Sequence, residues 1–183
     1  MTHGRIRPAQ PADVPELLAM VRELAEYERA ADQVVATEEG FTAALFGPAP
    51  AVHALVVEGV PAQPLVAFAL YFLNFSTWLG KHGIYLEDLY VRPQFRGEGH
   101  GGRLLQALAR ICVERDYGRL EWWVLDWNEP ALRFYRGIGA VPMDEWTVHR
   151  GTGPTLRALA GLAEEPSQDR KSTRLNSSHV SES

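Results

Sequence analysis

The chain has 183 residues, of which 46% are hydrophobic and 22% are charged, and its formal net charge at neutral pH is −5. This length suits one domain with a substantial core, and the acidic balance argues against a general nucleic-acid-binding protein, which would carry a basic surface. A single cysteine, Cys112, cannot form an intramolecular disulfide and favours a reducing, cytoplasmic setting. Because no apolar run is long enough, we expect neither a secretory signal nor a membrane span.

The first part of the chain predicts elements in the order strand, helix, helix, strand, strand. These are a strand over 5–9, a helix from Asp13 to about Arg29, a helix from Thr37 to about Leu45, and strands over 51–57 and 65–75. Asp13 followed by Glu16 fits a capping box, and Thr37 is a favoured N-cap residue. The short turn between the last two strands predicts antiparallel pairing.

A segment from Ile84 to Leu105 then predicts a strand, a glycine-rich turn and the first turns of a helix. The strand is rich in aromatic and branched side chains and ends at Pro93, which cannot donate to a ladder. The turn, residues 97–102, has four glycines in six positions. Such a backbone can bend tightly and present N–H groups at the positive end of a helix dipole, so it predicts an anion site suited to phosphate.

The glycine spacing fits two templates that imply different proteins. Gly97, Gly99 and Gly102 satisfy G-x-G-x-x-G, the dinucleotide-binding fingerprint, and Glu121 lies at about the distance of its acidic residue. The alternative pattern is R-x-x-G-x-G, which begins at Arg96.

The rest of the chain predicts alternating helices and strands followed by a polar tail. The elements are a helix over about 101–115, a strand over 119–125, a helix from Asn128 to about Gly137, a strand over 140–150 and a helix over 152–163. Asn128 suits an N-cap, and Pro130 suits a first helical turn. We expect one domain over 1–165. Residues 166–183 are serine-rich and poor in apolar side chains, so this tail is predicted to be disordered, and a non-native addition is one explanation of it.

The order of elements separates the two templates. A dinucleotide-binding domain places its glycine turn after the first strand and continues with several strand–helix units, whereas here the turn follows most of the predicted strands. The order β-α-α-β-β-β-α-β-α-β resembles that of the GNAT superfamily of N-acetyltransferases, and the pattern beginning at Arg96 resembles its acyl-CoA pyrophosphate loop. This resemblance implies an α/β fold with a mixed central β-sheet flanked by helices.

The resemblance covers roughly residues 4–163 and is sharpest in three segments. Tyr85–Asp88, 96–102 and Trp127–Tyr135 resemble the diamine and polyamine (spermidine/spermine) N-acetyltransferases, and Met143–Val148 is similar to their relatives that act on thialysine-like substrates. It implies transfer of the acetyl group of acetyl-CoA to a primary amine of a small cationic substrate, by direct attack in a ternary complex. It also implies a homodimer and no metal. Protein or peptide acetylation and a non-catalytic acyl-CoA-binding sensor are the alternatives.

The resemblance also implies roles for individual residues. Contacts to acetyl-CoA are expected from Leu89, Tyr90, Val91, Arg96, Gly97, Glu98, Gly99, His100, Gly101, Gly102, Asn128, Glu129, Pro130 and Ala131. The amine site is expected to include Tyr27, Glu28, Trp78, Glu87, Asp88 and Glu121. Tyr135 would protonate the leaving thiolate, and the Leu89 N–H could stabilise the developing oxyanion.

Glu87 is the candidate base. The amine arrives as an ammonium with a reference pKa near 10.4, so it must lose a proton before attack, and Glu87 could accept it through a water molecule. Neighbouring residues of a strand point to opposite faces, so Glu87 and Asp88 would share a face only if a bulge intervened. Two acids in an otherwise apolar strand are costly to bury, which favours a functional role.

Overall fold

The computed structural model describes residues 4–162. The strands are β1 (Ile6–Pro8), β2 (His53–Val60), β3 (Gln63–Ser76), β4 (Lys81–Val91) and β5 (Leu120–Trp122). The helices are α1 (Val14–Tyr27), α2 (Glu38–Phe46), α3 (His100–Glu114), α4 (Glu129–Gly137) and α5 (Gly153–Leu159). Across these residues, none of the helices combines the length and the apolar character needed to cross a membrane.

The strands form one mixed sheet in the order β1-β2-β3-β4-β5. Neighbours from β1 to β4 pair in antiparallel fashion, whereas β5 runs parallel to β4. The connection from β4 to β5 passes through α3, because parallel strands need a long crossover. The predicted antiparallel hairpin and the mixed sheet are therefore confirmed.

Helices pack on both faces of the sheet. On one face, α1 and α2 cover a buried apolar cluster made of Leu17, Met20, Leu45, Ala54, Val56, Leu65, Phe68, Leu70 and Tyr90. The other face carries α3, which contacts β3, β4 and β5. The side of α3 that is buried comprises His100, Leu104, Leu105, Leu108 and Cys112. The sheet is thus held between two apolar helix layers, as the helical periodicity of these residues predicts.

Of the helix caps predicted for α1 and α2, the one at α2 is confirmed and the one at α1 is wrong. Thr37 caps α2, since its hydroxyl oxygen accepts a backbone N–H of the first turn at 3.1 Å. Asp13 precedes α1 but makes no capping hydrogen bond. Its carboxylate accepts from the guanidinium of Arg7 instead, and Glu16 pairs with Arg92. The Asp13 carboxylate thus binds Arg7 of β1 and the backbone N–H of Gln10, and does not cap α1.

The strand predicted over 140–150 is also wrong, because these residues form turns and irregular backbone. Gly139, with φ of +83°, turns the chain just before it, and Pro142 has no N–H to donate to a ladder. The strand predicted over 119–125 is shortened to the three residues of β5. The tail, 166–183, lies outside the described residues.

Contacts divide the chain into two compact units, with the boundary between Leu132 and Arg133 inside α4. The first unit holds the whole sheet and the helices α1 to α3. The second holds the end of α4 and α5.

Candidate active site

A β-bulge interrupts β4 at Glu87. Asp88 lies opposite Leu70 of β3, and Leu86 lies opposite Tyr71, so Glu87 between them has no register partner in β3. Paired residues share a face of a sheet, and a bulge shifts the alternation by one residue. Asp88 is thereby turned to the face of Leu70, which α1 and α2 cover. Glu87 and Asp88 were expected to share a face only if a bulge intervened, and the structure contains a bulge at that point.

Desolvation and neighbouring negative charge act together on Asp88. Desolvation is the larger cause, followed by repulsion from Glu87 and Glu28, and together they raise the pKa of the Asp88 carboxyl from 3.8 to about 6. Desolvation also raises the pKa of Glu28. Glu87 and Glu28 therefore lie close enough to Asp88 to oppose the ionisation of its carboxyl. A bound cation would relieve this repulsion, because opposite charge favours the ionised form.

Aromatic side chains continue this face of the sheet beyond Asp88. Tyr85 stacks on Phe72, its register partner, with ring centroids 4.9 Å apart, and it meets Trp123 edge-on at 5.6 Å. Such rings can contact the methylene groups and the ammonium of an amine. Sequence analysis missed Phe72 and Trp123, although the spacing of two residues between Glu121 and Trp123 was the available signal.

Glu121 lies in β5 opposite Tyr85, on the same face of the sheet. Its carboxylate accepts a hydrogen bond from Nδ2 of Asn74 at 2.6 Å and lies 2.9 Å from Nε of Arg119. This carboxylate is therefore paired within the sheet. Sequence analysis missed both partners, since they come from β3 and from the residue just before β5.

The edge of β4 that faces β5 is paired only in part. β5 pairs with β4 from Ile84 to Leu86, and in the described part of the chain no strand continues along this edge beyond that point. Residues 89–91 lie on this stretch of β4. An unpaired strand edge offers backbone N–H and C=O groups to an extended ligand, and the pantetheine arm of acetyl-CoA is such a ligand.

The glycine-rich turn, residues 97–102, leads directly into α3. Gly97 and Gly99 have φ of +83° and +81°, a region that other residues rarely adopt. Because no other atom of residues 4–162 lies within 4 Å of the place a Cβ would occupy, the backbone angle alone favours glycine here. His100 begins α3, is buried, and holds its ring Nε2 3.1 Å from the Glu98 carboxylate. Gly101 and Gly102 follow in the first turn.

Two arginines on either side of Pro93 have opposite environments. Arg92 is buried, and its guanidinium pairs with Glu16 and Glu23 of α1. Arg96 is exposed, and its Nε donates to the main-chain carbonyl of Val91 at 3.0 Å. Its two terminal nitrogens have no hydrogen bond or ion pair within residues 4–162. Arg96 is therefore a cation without a counter-ion beside the glycine turn, as a phosphate site needs.

Tyr27, the last residue of α1, lies between the glycine turn and α4. Its hydroxyl donates to Oδ1 of Asn128 at 3.3 Å, and the guanidinium carbon of Arg96 lies 5.1 Å from its ring centroid. The same Oδ1 accepts the backbone N–H of Ala131 at 3.4 Å, so the predicted N-cap of α4 is confirmed. Residues 129–131 form the first turn of that helix.

Trp78 and Tyr135 are the remaining predicted site residues. Trp78 is 89% exposed in the turn between β3 and β4. Asp88 is seven residues from the start of β4, or about 20 Å at strand spacing, so Trp78 lies far from Asp88 of its own chain. Tyr135 belongs to the second unit, where it is half-buried with its ring centroid 5.4 Å from that of Phe134. Burial raises the pKa of its phenol.

Known proteins resemble this chain over most of its length. The model of the acetyltransferase (GNAT) family matches residues 17–140. A thialysine N-epsilon-acetyltransferase of Bos taurus is 39% identical over 170 residues, which cover 88% of this chain and 99% of the relative. An L-ornithine N5-acetyltransferase of Arabidopsis thaliana is 31% identical over 202 residues, which cover 87% and 89%. The solved structure of an integron cassette protein from V. cholerae is 27% identical, with a TM-score of 0.71 and coverage of 87% and 98%.

These likenesses agree with the fold and with the glycine turn. The mixed sheet with flanking helices is the architecture that the resemblance implied, although it has five strands where six were predicted. The matched region includes the bulge, the turn and the cap of α4. The dinucleotide template, which shares the glycine spacing, is thereby excluded. The chain belongs to the GNAT family of acetyltransferases.

Proposed function

We propose that this acetyltransferase moves the acetyl group of acetyl-CoA to the side-chain amine of a small cationic amino acid of the thialysine or ornithine type. The observation that carries the proposal is the raised pKa of Asp88 beside Glu87 and Glu28, because such a site is stabilised by a bound cation. The substrates named for the bovine and Arabidopsis relatives support this class. A diamine or polyamine is the second candidate, since three carboxylates could also pair with two ammonium groups.

The proposed site of the acetyl donor is formed by the glycine turn and the open edge of β4. Acetyl-CoA supplies an acetyl group activated as a thioester. We propose that the N–H groups of residues 97–102 and the unpaired charge of Arg96 hold its pyrophosphate, and that the open edge at 89–91 pairs with its pantetheine arm. Asn128 and residues 129–131 would contact the same arm. The positive φ of Gly97 and Gly99 supports this proposal, since glycine adopts it without strain and the tight turn can then present its N–H groups to an anion.

The proposed reaction needs three proton transfers. Glu87 accepts a proton from the ammonium through a water molecule, and the neutral nitrogen then bonds to the acetyl carbonyl carbon. The nitrogen, now positively charged, loses its second proton to solvent, the carbon–sulfur bond breaks, and Tyr135 donates its phenolic proton to the leaving thiolate. The tyrosinate then regains a proton from solvent. A phenol is protonated at neutral pH, as an acid requires, and burial raises the pKa of Tyr135 further. The N–H of Leu89 is the proposed oxyanion donor.

We also propose a homodimer. The turn at Trp78 is the most exposed aromatic position described, and Phe75 and Leu79 beside it are more than half exposed. Since Trp78 lies far from Asp88 of its own chain, we propose that it reaches the acids beside Asp88 through the hairpin of a second copy. The single cysteine, Cys112, is buried and reduced, which is compatible with the proposed cytoplasmic setting.

The test is release of free thiol from acetyl-CoA with a panel of amines. The panel contains thialysine, lysine, ornithine, putrescine, spermidine and a lysine-containing peptide, each at matched ionic strength. We expect the highest kcat/KM for an amino acid with a side-chain amine. Highest turnover with putrescine or spermidine would move the assignment to polyamines, and highest turnover with the peptide would overturn a small substrate. Tight binding of CoA without turnover of any amine would indicate a sensor.

A further inference from the structure

Tyr27 makes its contacts on the side of the site that faces acetyl-CoA. Its ring lies under the guanidinium of Arg96, which also lies 5.8 Å from the ring centroid of Tyr90. Its hydroxyl donates to Asn128, and its ring centroid is 6.1 Å from that of Trp127. Arg96 directly precedes the glycine turn and Tyr90 lies in β4. Trp127 and Asn128 directly precede α4. None of them is a member of the acid group around Asp88.

We propose that Tyr27 is a positioning residue for Arg96, and that it acts on the binding of acetyl-CoA and not as a contact of the amine. The inference rests on the proposed pyrophosphate role of Arg96 and residues 97–102. It assigns Tyr27 to the opposite side of the site from the one that the resemblance implies.

The physical reason is the flexibility of an exposed arginine. A free arginine side chain samples many rotamers, and ordering them on binding lowers affinity. Here Nε of Arg96 is fixed on the carbonyl of Val91, and the plane of the guanidinium is held by the rings of Tyr27 and Tyr90. A guanidinium held in this way keeps both terminal nitrogens for a phosphate, so less freedom is lost when the phosphate binds.

The hydroxyl of Tyr27 adds a second restraint. Oδ1 of Asn128 accepts from this hydroxyl and from the backbone N–H of Ala131, so one oxygen joins the end of α1 to the first turn of α4. The proposed contacts of the pyrophosphate and of the pantetheine arm are therefore linked through one side chain. The ring and the hydroxyl have separate tasks, and they can be separated by substitution.

The experiment measures CoA affinity by calorimetry in the full-length protein, with Tyr27→Leu, Tyr27→Phe, Arg96→Ala and the double variant Tyr27→Leu/Arg96→Ala. We expect Tyr27→Leu to weaken CoA binding about fivefold to tenfold, and Tyr27→Phe, which keeps the ring, to weaken it about threefold or less. In the Arg96→Ala background, Tyr27→Leu should have little further effect, because the group that it positions is gone.

The second readout is the KM of the amine preferred in the panel, at saturating acetyl-CoA. We expect it to stay within about twofold in Tyr27→Phe and Tyr27→Leu, since a positioning role for Arg96 does not reach the amine. A rise of tenfold in this KM with unchanged CoA affinity would overturn the inference and return Tyr27 to the amine site. Equal loss of CoA affinity from Tyr27→Leu with and without Arg96 would overturn it as well.

The same set of variants distinguishes failure of the inference from failure of the proposed function. If Arg96→Ala leaves CoA affinity unchanged, the pyrophosphate assignment is wrong, whatever Tyr27 does. If Arg96→Ala weakens CoA binding and Tyr27→Leu does not, only the positioning role is refuted. Should Tyr27→Leu fail to fold, as judged by circular dichroism, Tyr27→His keeps an aromatic ring without the phenol. It should then match Tyr27→Phe in CoA affinity, and a loss greater than tenfold would refute the role of the ring.

Discussion

Replacing Asp88 by asparagine should make the protein more stable at neutral pH and should weaken its binding of the amine substrate. The variant keeps the shape of the side chain and removes its charge. In the folded protein the pKa of Asp88 is about 6, against a starting value of 3.8. At about 1.4 kcal/mol for each pKa unit, holding this carboxylate ionised at pH 7.5 costs about 3 kcal/mol of folding free energy.

The sign and the pH window follow from the two pKa values. Between pH 3.8 and about 6 the folded state binds more protons at Asp88 than the unfolded state does, so stability falls as pH rises. The cost is absent well below pH 3.8, about 1 kcal/mol at pH 4.5, and complete above pH 6. Asp88→Asn removes it, so the stabilisation by the variant should shrink from about 3 kcal/mol at pH 7.5 to about 1 kcal/mol at pH 4.5.

The assay is urea unfolding of the wild type, Asp88→Asn and the control Asp32→Asn at both pH values. Asp32 is exposed, so its variant should change the free energy of unfolding by less than about 0.5 kcal/mol at either pH. Comparing variant with wild type at each pH cancels the titration of the paired acids Asp13 and Glu58, whose pKa values are lowered. Destabilisation of Asp88→Asn at pH 7.5, or an effect equal at both pH values, would refute the reasoning. The KM of the amine should rise at least about tenfold in the variant, and unchanged KM would remove Asp88 from the site.

Three further predictions concern other parts of the molecule. Tyr135→Phe should lower kcat about 100-fold while CoA affinity measured by calorimetry changes less than about threefold, and an unchanged kcat would exclude Tyr135 as the acid. Gly99→Ala, at φ of +81°, should lower the free energy of unfolding by about 1–2 kcal/mol, whereas Gly40→Ala in α2, where φ is not positive, should cost nothing or stabilise. Arg92→Met should cost about 3 kcal/mol in urea unfolding, because Glu16 and Glu23 lose their buried partner, and a neutral result would show that these acids are fully solvated.

Much of this fold could be predicted because its signals are local. The threonine that caps α2, the proline that ends β4 and the glycines before α3 each act on a few neighbouring residues. The resemblance of the order of elements to that of the GNAT superfamily then implied one mixed sheet, although the last predicted strand, over 140–150, does not form. The capping signal failed where a charged partner competed, as at Asp13, which pairs with Arg7 of β1 instead of capping α1.

The two arginines near the glycine turn show a second limit of the sequence. Arg92 and Arg96 are four residues apart and chemically identical, yet one joins β4 to the acids of α1 and the other has no counter-ion among the described residues. Burial decides between these roles, and burial depends on where α1 packs. The pattern beginning at Arg96 identified the second arginine through its spacing from the glycines, but nothing in the sequence marked the first as structural.

The bulge at Glu87 is a third feature that the sequence does not predict. It determines which acids lie together at the proposed amine site. Strict alternation would put Leu86, Asp88 and Tyr90 on one face, and the sequence shows no interruption there. In the structure the extra residue moves Leu86 to the opposite face from Asp88 and Tyr90. Asp88 thus joins the face covered by α1, where Glu28 can act on it and raise its pKa. The acids that we propose to hold the amine are therefore brought together by one unpaired residue, and a regular strand of the same composition would have separated Asp88 from Glu28.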